Sequence, residues 1–202
     1  MLPAAKSDRQ LSYRENRRRI VWNISLQLAE EGSTMMEQEP MSPQDSLTHV
    51  REDGSAHMVD VSSKAPTPRT ARAGSIVVTT EEVTRLLREN SLAKGDALAA
   101  ARLAGIMAAK RTPELIPLCH PLPISKAHVS LRLDTPEPGH VEILTEVRTT
   151  APTGVEMEAL TAASVAALTL YDMIKGVDRA AVITETRVLT KTGGTSADWE
   201  RA

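Results

Sequence analysis

The chain has 202 residues, 41% hydrophobic and 25% charged, with a formal net charge of -2. That is enough for one domain with a proper core plus a tail, and the charge argues against a general nucleic-acid binder. A single cysteine excludes an internal disulfide and a multi-cysteine zinc site, and it fits a reducing compartment such as the cytoplasm.

There is no Phe, with two Tyr and two Trp, so the core must be built from Ala, Val, Leu, Ile and Met. A surface that stacks successive bases on aromatic rings is nearly excluded. No apolar run is read as approaching the roughly 20 residues of a membrane span.

Residues 1–45 start basic and end in a polar, Pro-containing spacer. Ile20, Trp22, Ile24, Leu26 and Leu28 alternate with polar residues, which allows a short strand. The apolar stretch is too polar for a signal peptide, and no small-residue cleavage site follows it. The segment is read as an extension, disordered or foreign to the natural chain, with a natural start near Met35, Met36 or Met41. Residues 46–202 are read as a single catalytic domain.

In chain order, "SIVVTT" (75–80) predicts a strand, and "EEVTRLLREN" (81–90) a helix capped by Thr80. "GDALAAARLAGIMAAKR" (95–111) predicts a second helix capped by Asp96. "TPEL" (112–115) suggests one turn, with Thr capping and Pro at the first position. "AHVSLRL" (127–133) and "HVEILTEVR" (140–148) alternate apolar and polar residues around the turn "DTPEPGH". "ALTAASVAALTLYDMIKGV" (159–177) predicts a long helix, and "AAVITETRVLT" (180–190) a last strand. The order β, two helices, β, β, α, β is that of an α+β, ferredoxin-like antiparallel sheet with helices packed on one face. The other face is left to water or to another subunit.

Several residues have the character of a site. Asp172 and Lys175, three apart, project from one face of the long helix. They make a surface ion pair or, bordering a pocket, an acid-base pair. Glu156 and Glu158 share a face only if the chain is extended there; otherwise they are ordinary acidity at a helix start. Lys94 precedes Gly95 and a helix start, a place that attracts phosphate. Lys191 precedes two glycines after the last strand, and Arg69 and Arg72 precede the first. In "LIPLCHPLPI" (115–124), the pair Cys119-His120 admits four readings: packing, a metal site, a nucleophile with its base, or a substrate grip. Extended geometry disfavours the dyad, because adjacent side chains point apart. Scattered histidines disfavour the metal. These residues alone suggest a phosphate-rich substrate and leave the reaction open.

The segments "LTHVREDGSAHMVDVSSKAPTPRTARAG", "KGDALAAARLAGIMAAKRTPELIPLCHPLPISK" and "TGVEMEALTAASVAALTLYDMIKGVDR" resemble the cyclic pyranopterin monophosphate synthases, accessory protein C of molybdenum cofactor biosynthesis. The resemblance runs from about Leu47 to Asp198, with "KTGG" where the family pattern reads Lys-Ser-Gly-Gly. It implies a lyase that converts 3',8-cyclo-7,8-dihydro-GTP to cyclic pyranopterin monophosphate with release of pyrophosphate. It implies no flavin, nicotinamide, iron-sulfur cluster or resident metal. It also implies a homo-hexamer of paired subunits with sites between them, and neither nucleic acid nor membrane as partner. Asp172 is marked as the acid/base, beside Lys175. Leu118, Cys119, His120, Met157 and Glu158 line the substrate, and Glu156 is a second candidate. Lys94, Arg69 and Lys191, with His120, would offset the triphosphate charge.

Overall fold

The computed structural model describes Arg51, residues 53–194 and residues 197–201. The extension read over residues 1–45 lies outside the described residues. Among the described residues the order is β1 (Thr67–Val78), α1 (Glu81–Arg88), α2 (Ala97–Ala109), α3 (Thr112–Leu115), β2 (Ile124–Arg132), β3 (His140–Ala151), α4 (Glu156–Ile174), β4 (Val182–Thr192) and β5 (Trp199–Glu200). The strands form one sheet in the order β2-β3-β1-β4-β5 with every pairing antiparallel. Its first four strands have the split β-α-β arrangement expected from the element order.

Alternation fixes which face is covered. Along β3, Val141, Ile143, Thr145, Val147, Thr149 and Ala151 are buried, while Glu142, Leu144, Glu146 and Arg148 take the opposite side. The buried side carries α2 and α4. Alanine dominates the contact: Ala71 and Ala73 of β1 and Ala159, Ala162, Ala163, Ala166 and Ala167 of α4 are all fully buried. Small side chains let the helix axes and the sheet approach closely, so a dense core forms without Phe. Gly105 marks a close approach of α2 to α4. A Cβ there would lie 2.8 Å from the Ala162 carbonyl and 3.2 Å from Ala166 Cβ.

Two predicted caps are present: Thr80 accepts from the Val83 amide and Asp96 from the Ala99 amide. Thr112 differs from expectation. It is the first residue of α3 rather than its cap, and its hydroxyl donates back to the carbonyls of Ala108 and Ala109. β1 begins at Thr67, eight residues before the predicted start, so Arg69 and Arg72 lie within the strand and not ahead of it. The polar stretch "TPRTARAG" hid this strand, because it pairs along both edges and its backbone supplies the order. β5 was not predicted; two residues carry no periodicity.

α4 corrects two further readings. It starts at Glu156 rather than Ala159, so both glutamates are helical. It is nineteen residues long and contains an 18-residue stretch of mean hydropathy 1.2, long and apolar enough by length and composition to cross a membrane, contrary to the reading of the sequence. Its apolar side lies against the sheet, where Leu170 and Ile174 are fully buried. Burying each such side chain is worth about 1.5–3 kcal/mol.

Candidate active site

A pocket of about 420 Å³ opens at the N-terminal end of α4, within the range of small-molecule sites. Three stretches before and within the fold converge on it: Val59, Val61 and Lys64; Leu118, Cys119, His120 and Leu122; and Thr153, Gly154, Glu156, Met157 and Glu158, with Lys191 arriving from β4. The loop holding Cys119 follows α3 and is restrained by Pro117, Pro121 and Pro123, whose φ values are fixed by their rings. The Cys119 amide donates to the Ile116 carbonyl at 3.1 Å. Nε2 of His120 lies 2.9 Å from the Val59 carbonyl. A carbonyl only accepts, so Nε2 carries the proton and Nδ1 is left for another partner.

Charge inside the pocket is graded. Glu156, the first residue of α4, folds back over Gly154, where a Cβ would be 2.0 Å from its Oε2. Its Oε1 meets Lys191 Nζ at 2.8 Å, with both side chains about three-quarters covered. Glu158 is buried, at 2% exposure. Burial raises its carboxyl to about 6, and the neighbouring Glu156 charge adds to the rise. A group placed there exchanges a proton near neutral pH. Burial also pushes the Cys119 thiol up, helped by the Glu158 charge, so the thiolate is disfavoured.

A second cluster lies at the other end of α4. Lys175 Nζ meets Asp172 Oδ1 at 2.6 Å, and Lys94 Nζ meets Oδ2 at 2.9 Å while donating to the Asp172 carbonyl at 2.6 Å. Lys94 reaches it from the turn at Gly95, whose φ of +88° favours glycine, just before the Asp96 cap of α2. A cation on a carbonyl of the last turn also complements the helix dipole. The two lysines, Lys175 first, hold the Asp172 carboxyl down at about 2, and Asp172 in turn raises Lys175. All three side chains are about half exposed.

The sequence-derived residues therefore divide. Leu118, Cys119, His120, Glu156, Met157, Glu158 and Lys191 share the pocket. Lys94, Asp172 and Lys175 share the distant cluster. Fourteen residues separate Glu158 from Asp172 on one helix, about 21 Å at the helical rise. The expectation that two glutamates serving one site need an extended chain does not hold geometrically, since both line the pocket from the first helical turn. Arg69 is not among the pocket-lining residues: its Nε donates to the Ala151 carbonyl and one Nη to that of Pro152, both at 3.0 Å. Lys64, Thr153 and Gly154 were missed. Lys64 carried a signal, a lone cation in "SSKAPTP" within a stretch that resembles the family, whereas Thr153 and Gly154 show their place only through the fold.

A profile of the MoaC family matches residues 58–194. A cyclic pyranopterin monophosphate synthase of Nocardioides sp. strain JS614 is 62% identical over 156 residues, 77% of this chain and 95% of that protein. The synthase of Streptomyces coelicolor is 61% identical over 160 residues, 79% of this chain and 92% of its own length. That of Methylobacterium nodulans is 57% identical over 155 residues, 77% and 96% of the two chains.

Proposed function

Since the chain belongs to the MoaC family, we propose that it is a cyclic pyranopterin monophosphate synthase, a lyase of molybdenum cofactor biosynthesis. It converts 3',8-cyclo-7,8-dihydro-GTP to cyclic pyranopterin monophosphate and pyrophosphate. The identity of about 60% to synthases, across nearly their whole length, carries this reading.

The reaction opens a guanine-derived ring, recloses it as a pterin, and lets a ribose-derived oxygen attack the α-phosphorus as pyrophosphate leaves. It needs cations for a triphosphate of about four negative charges, and groups that hold or move protons. His120, Lys64 and Lys191 take the phosphate side of the pocket, where they converge with Glu156. Leu118, Cys119 and Met157 wall the bicycle. Glu158, with a carboxyl at about 6, accepts or returns a proton without a large energetic penalty. Asp172 and Lys175 supply the other acid-base pair. With Asp172 held ionised and Lys175 protonated by each other, Lys175 is the donor and Asp172 the acceptor, and Lys94 supplies further positive charge.

These two groups must meet on one substrate, yet they stand about 21 Å apart on one rigid helix. Their separation supports a site shared between copies of the chain, the pocket from one and the Lys94-Asp172-Lys175 cluster from its neighbour, in a homo-oligomer of the hexameric kind. The half-exposed cluster and the sheet face that the described residues leave without a covering helix offer surface for such contacts. Purified protein supplied with the cyclised nucleotide releases one pyrophosphate per pterin formed. Binding without any change in the nucleotide's mass, by folded oligomer, overturns the assignment.

A further inference from the structure

Arg69 lies on β1 between the strands that deliver the two sides of the pocket, one residue removed from Thr70, which faces Thr192, and itself opposite Thr149. Its guanidinium is already engaged. The Nε–H and an Nη2–H donate to the successive carbonyls of Ala151 and Pro152, just where β3 ends and the chain turns through Thr153 and Gly154 into Glu156. That edge, one Nε with one Nη, is an edge with which an arginine grips a phosphate in two-pronged fashion. The remaining nitrogen, Nη1, lies against the loop after Lys191: a Cβ on Gly194 would be 2.3 Å from it. Gly193, at φ +85°, leaves no room for a Cβ either, which would fall 2.1 Å from the Pro68 carbonyl, and its amide is fixed by Asp198 Oδ1 at 2.8 Å. The double glycine is thus shaped to β1 at Pro68 and Arg69.

We infer that Arg69 is a positioning residue: it ties the turn at 151–154 to the loop at 191–194 and so sets the meeting of Glu156 with Lys191, rather than binding the substrate's phosphates. The inference rests on the proposed reaction for its substrate, but its geometry is that of the free chain. A lysine keeps the charge and cannot span two successive carbonyls with a planar fork, which separates the two roles.

The test compares Arg69→Lys, Arg69→Ala and Gly194→Ala with wild type in steady-state turnover, with inorganic pyrophosphate as inhibitor and as calorimetric titrant. Displacing the Glu156–Lys191 meeting by a fraction of an ångström lowers kcat about tenfold or more, and any loss of pyrophosphate affinity, arising through the displaced Lys191, is the same in Arg69→Lys and Arg69→Ala. Arg69→Lys fares no better than Arg69→Ala, and Gly194→Ala adds little to the loss in Arg69→Lys, because both break one contact. A lysine variant close to wild type, beside an alanine variant with KM and pyrophosphate affinity weakened tenfold, overturns the inference in favour of a phosphate contact. So do wild-type kinetics in both variants, or losses from Arg69→Lys and Gly194→Ala that multiply in full. If an Arg69 variant does not fold, Gly194→Ala alone decides: kcat reduced about tenfold or more supports the tie, and unchanged kcat overturns it. Absence of turnover in wild type counts against the proposed reaction instead, and the calorimetric comparison of pyrophosphate binding then decides the role of Arg69: equal affinities in Arg69→Lys and Arg69→Ala support it, and tenfold loss in Arg69→Ala alone overturns it.

Discussion

Glu158 and Asp172 belong to one helix, about four turns apart, and their surroundings push them in opposite directions. Glu158 is sealed beneath the pocket and its carboxyl rises to about 6 because burial disfavours the charge. Asp172 stands half exposed between two lysines and falls to about 2 because they favour it. One end of the helix therefore holds a proton that can be exchanged near neutrality, and the other holds an ionised carboxylate paired with lysines. The difference teaches that carboxylate roles here follow from local surroundings and not from residue type.

The sharpest break in that comparison is at the ion-paired end. Asp172→Asn should remove turnover by about a thousandfold or more, as expected when an acid-base group and its charge are both lost. Circular dichroism should show the fold unchanged, since the ion pairs it removes are exposed and such pairs contribute little. If turnover survives within tenfold, Asp172 has no role in proton transfer. The same variant tests the division of the site. A 1:1 reassembled mixture of Asp172→Asn and His120→Ala chains should recover about a quarter of wild-type activity, because a pocket from the first kind meets a cluster from the second with that frequency. No recovery in a mixed oligomer means that both halves come from one chain.

At the buried end the expected effect is smaller. Glu158→Gln should lower kcat about 10- to 100-fold and remove an inflection near pH 6 from the pH–rate profile. It also has a stability signature of fixed sign. The folded carboxyl is raised above its ordinary 4.5, so the stabilisation from holding the proton is complete below about 4.5 and is lost as pH rises through about 6. Relative to wild type, the Gln variant should therefore gain stability across that interval, by roughly 1 kcal/mol after solvent screening at the pocket mouth. Denaturant midpoints at pH 4 and pH 7 check it, and a gain that shrinks with rising pH contradicts the raised carboxyl.

Much of this frame was legible in the sequence, and the reasons differ along the chain. Alternation in "HVEILTEVR" reported β3 because one face is buried and the other is not. Thr80 and Asp96 announced two helix starts because a cap is a local hydrogen bond. β1 was half missed because a central strand is stabilised by neighbours far away in sequence, which "TPRTARAG" does not advertise. The stretches "IPLCHPL" and "GVEMEAL" point to residues that line the pocket, but the distance of about 21 Å from Glu158 to the cluster of Lys94, Asp172 and Lys175 was not legible. Spacing along a helix fixes distance only once the helix is known to run from Glu156 to Ile174 without a break. The family resemblance, together with its charge, marks Arg69 as a phosphate cation. The carbonyls of Ala151 and Pro152 that occupy it come from 82 and 83 residues away, beyond the reach of any local pattern.

The finest distinction lies within one dipeptide. Cys119 and His120 both line the pocket, yet only His120 offers a proton-carrying and proton-accepting ring, with Nε2 anchored on Val59 and Nδ1 available. The Cys119 thiol is raised by burial and by the Glu158 charge, the reverse of what an activated nucleophile requires. Cys119→Ser should therefore change kcat/KM by only a few-fold, the scale of a small change in pocket shape and polarity, and iodoacetamide should label the wild-type thiol slowly at pH 7. His120→Ala should cost about a hundredfold or more, because it removes a pocket-lining ring nitrogen that can take up a proton and the tie to the Val59 segment together. If serine at 119 costs more than alanine at 120, the sulfur takes part in bond making and the division of labour in this loop is the opposite of the one drawn from its geometry.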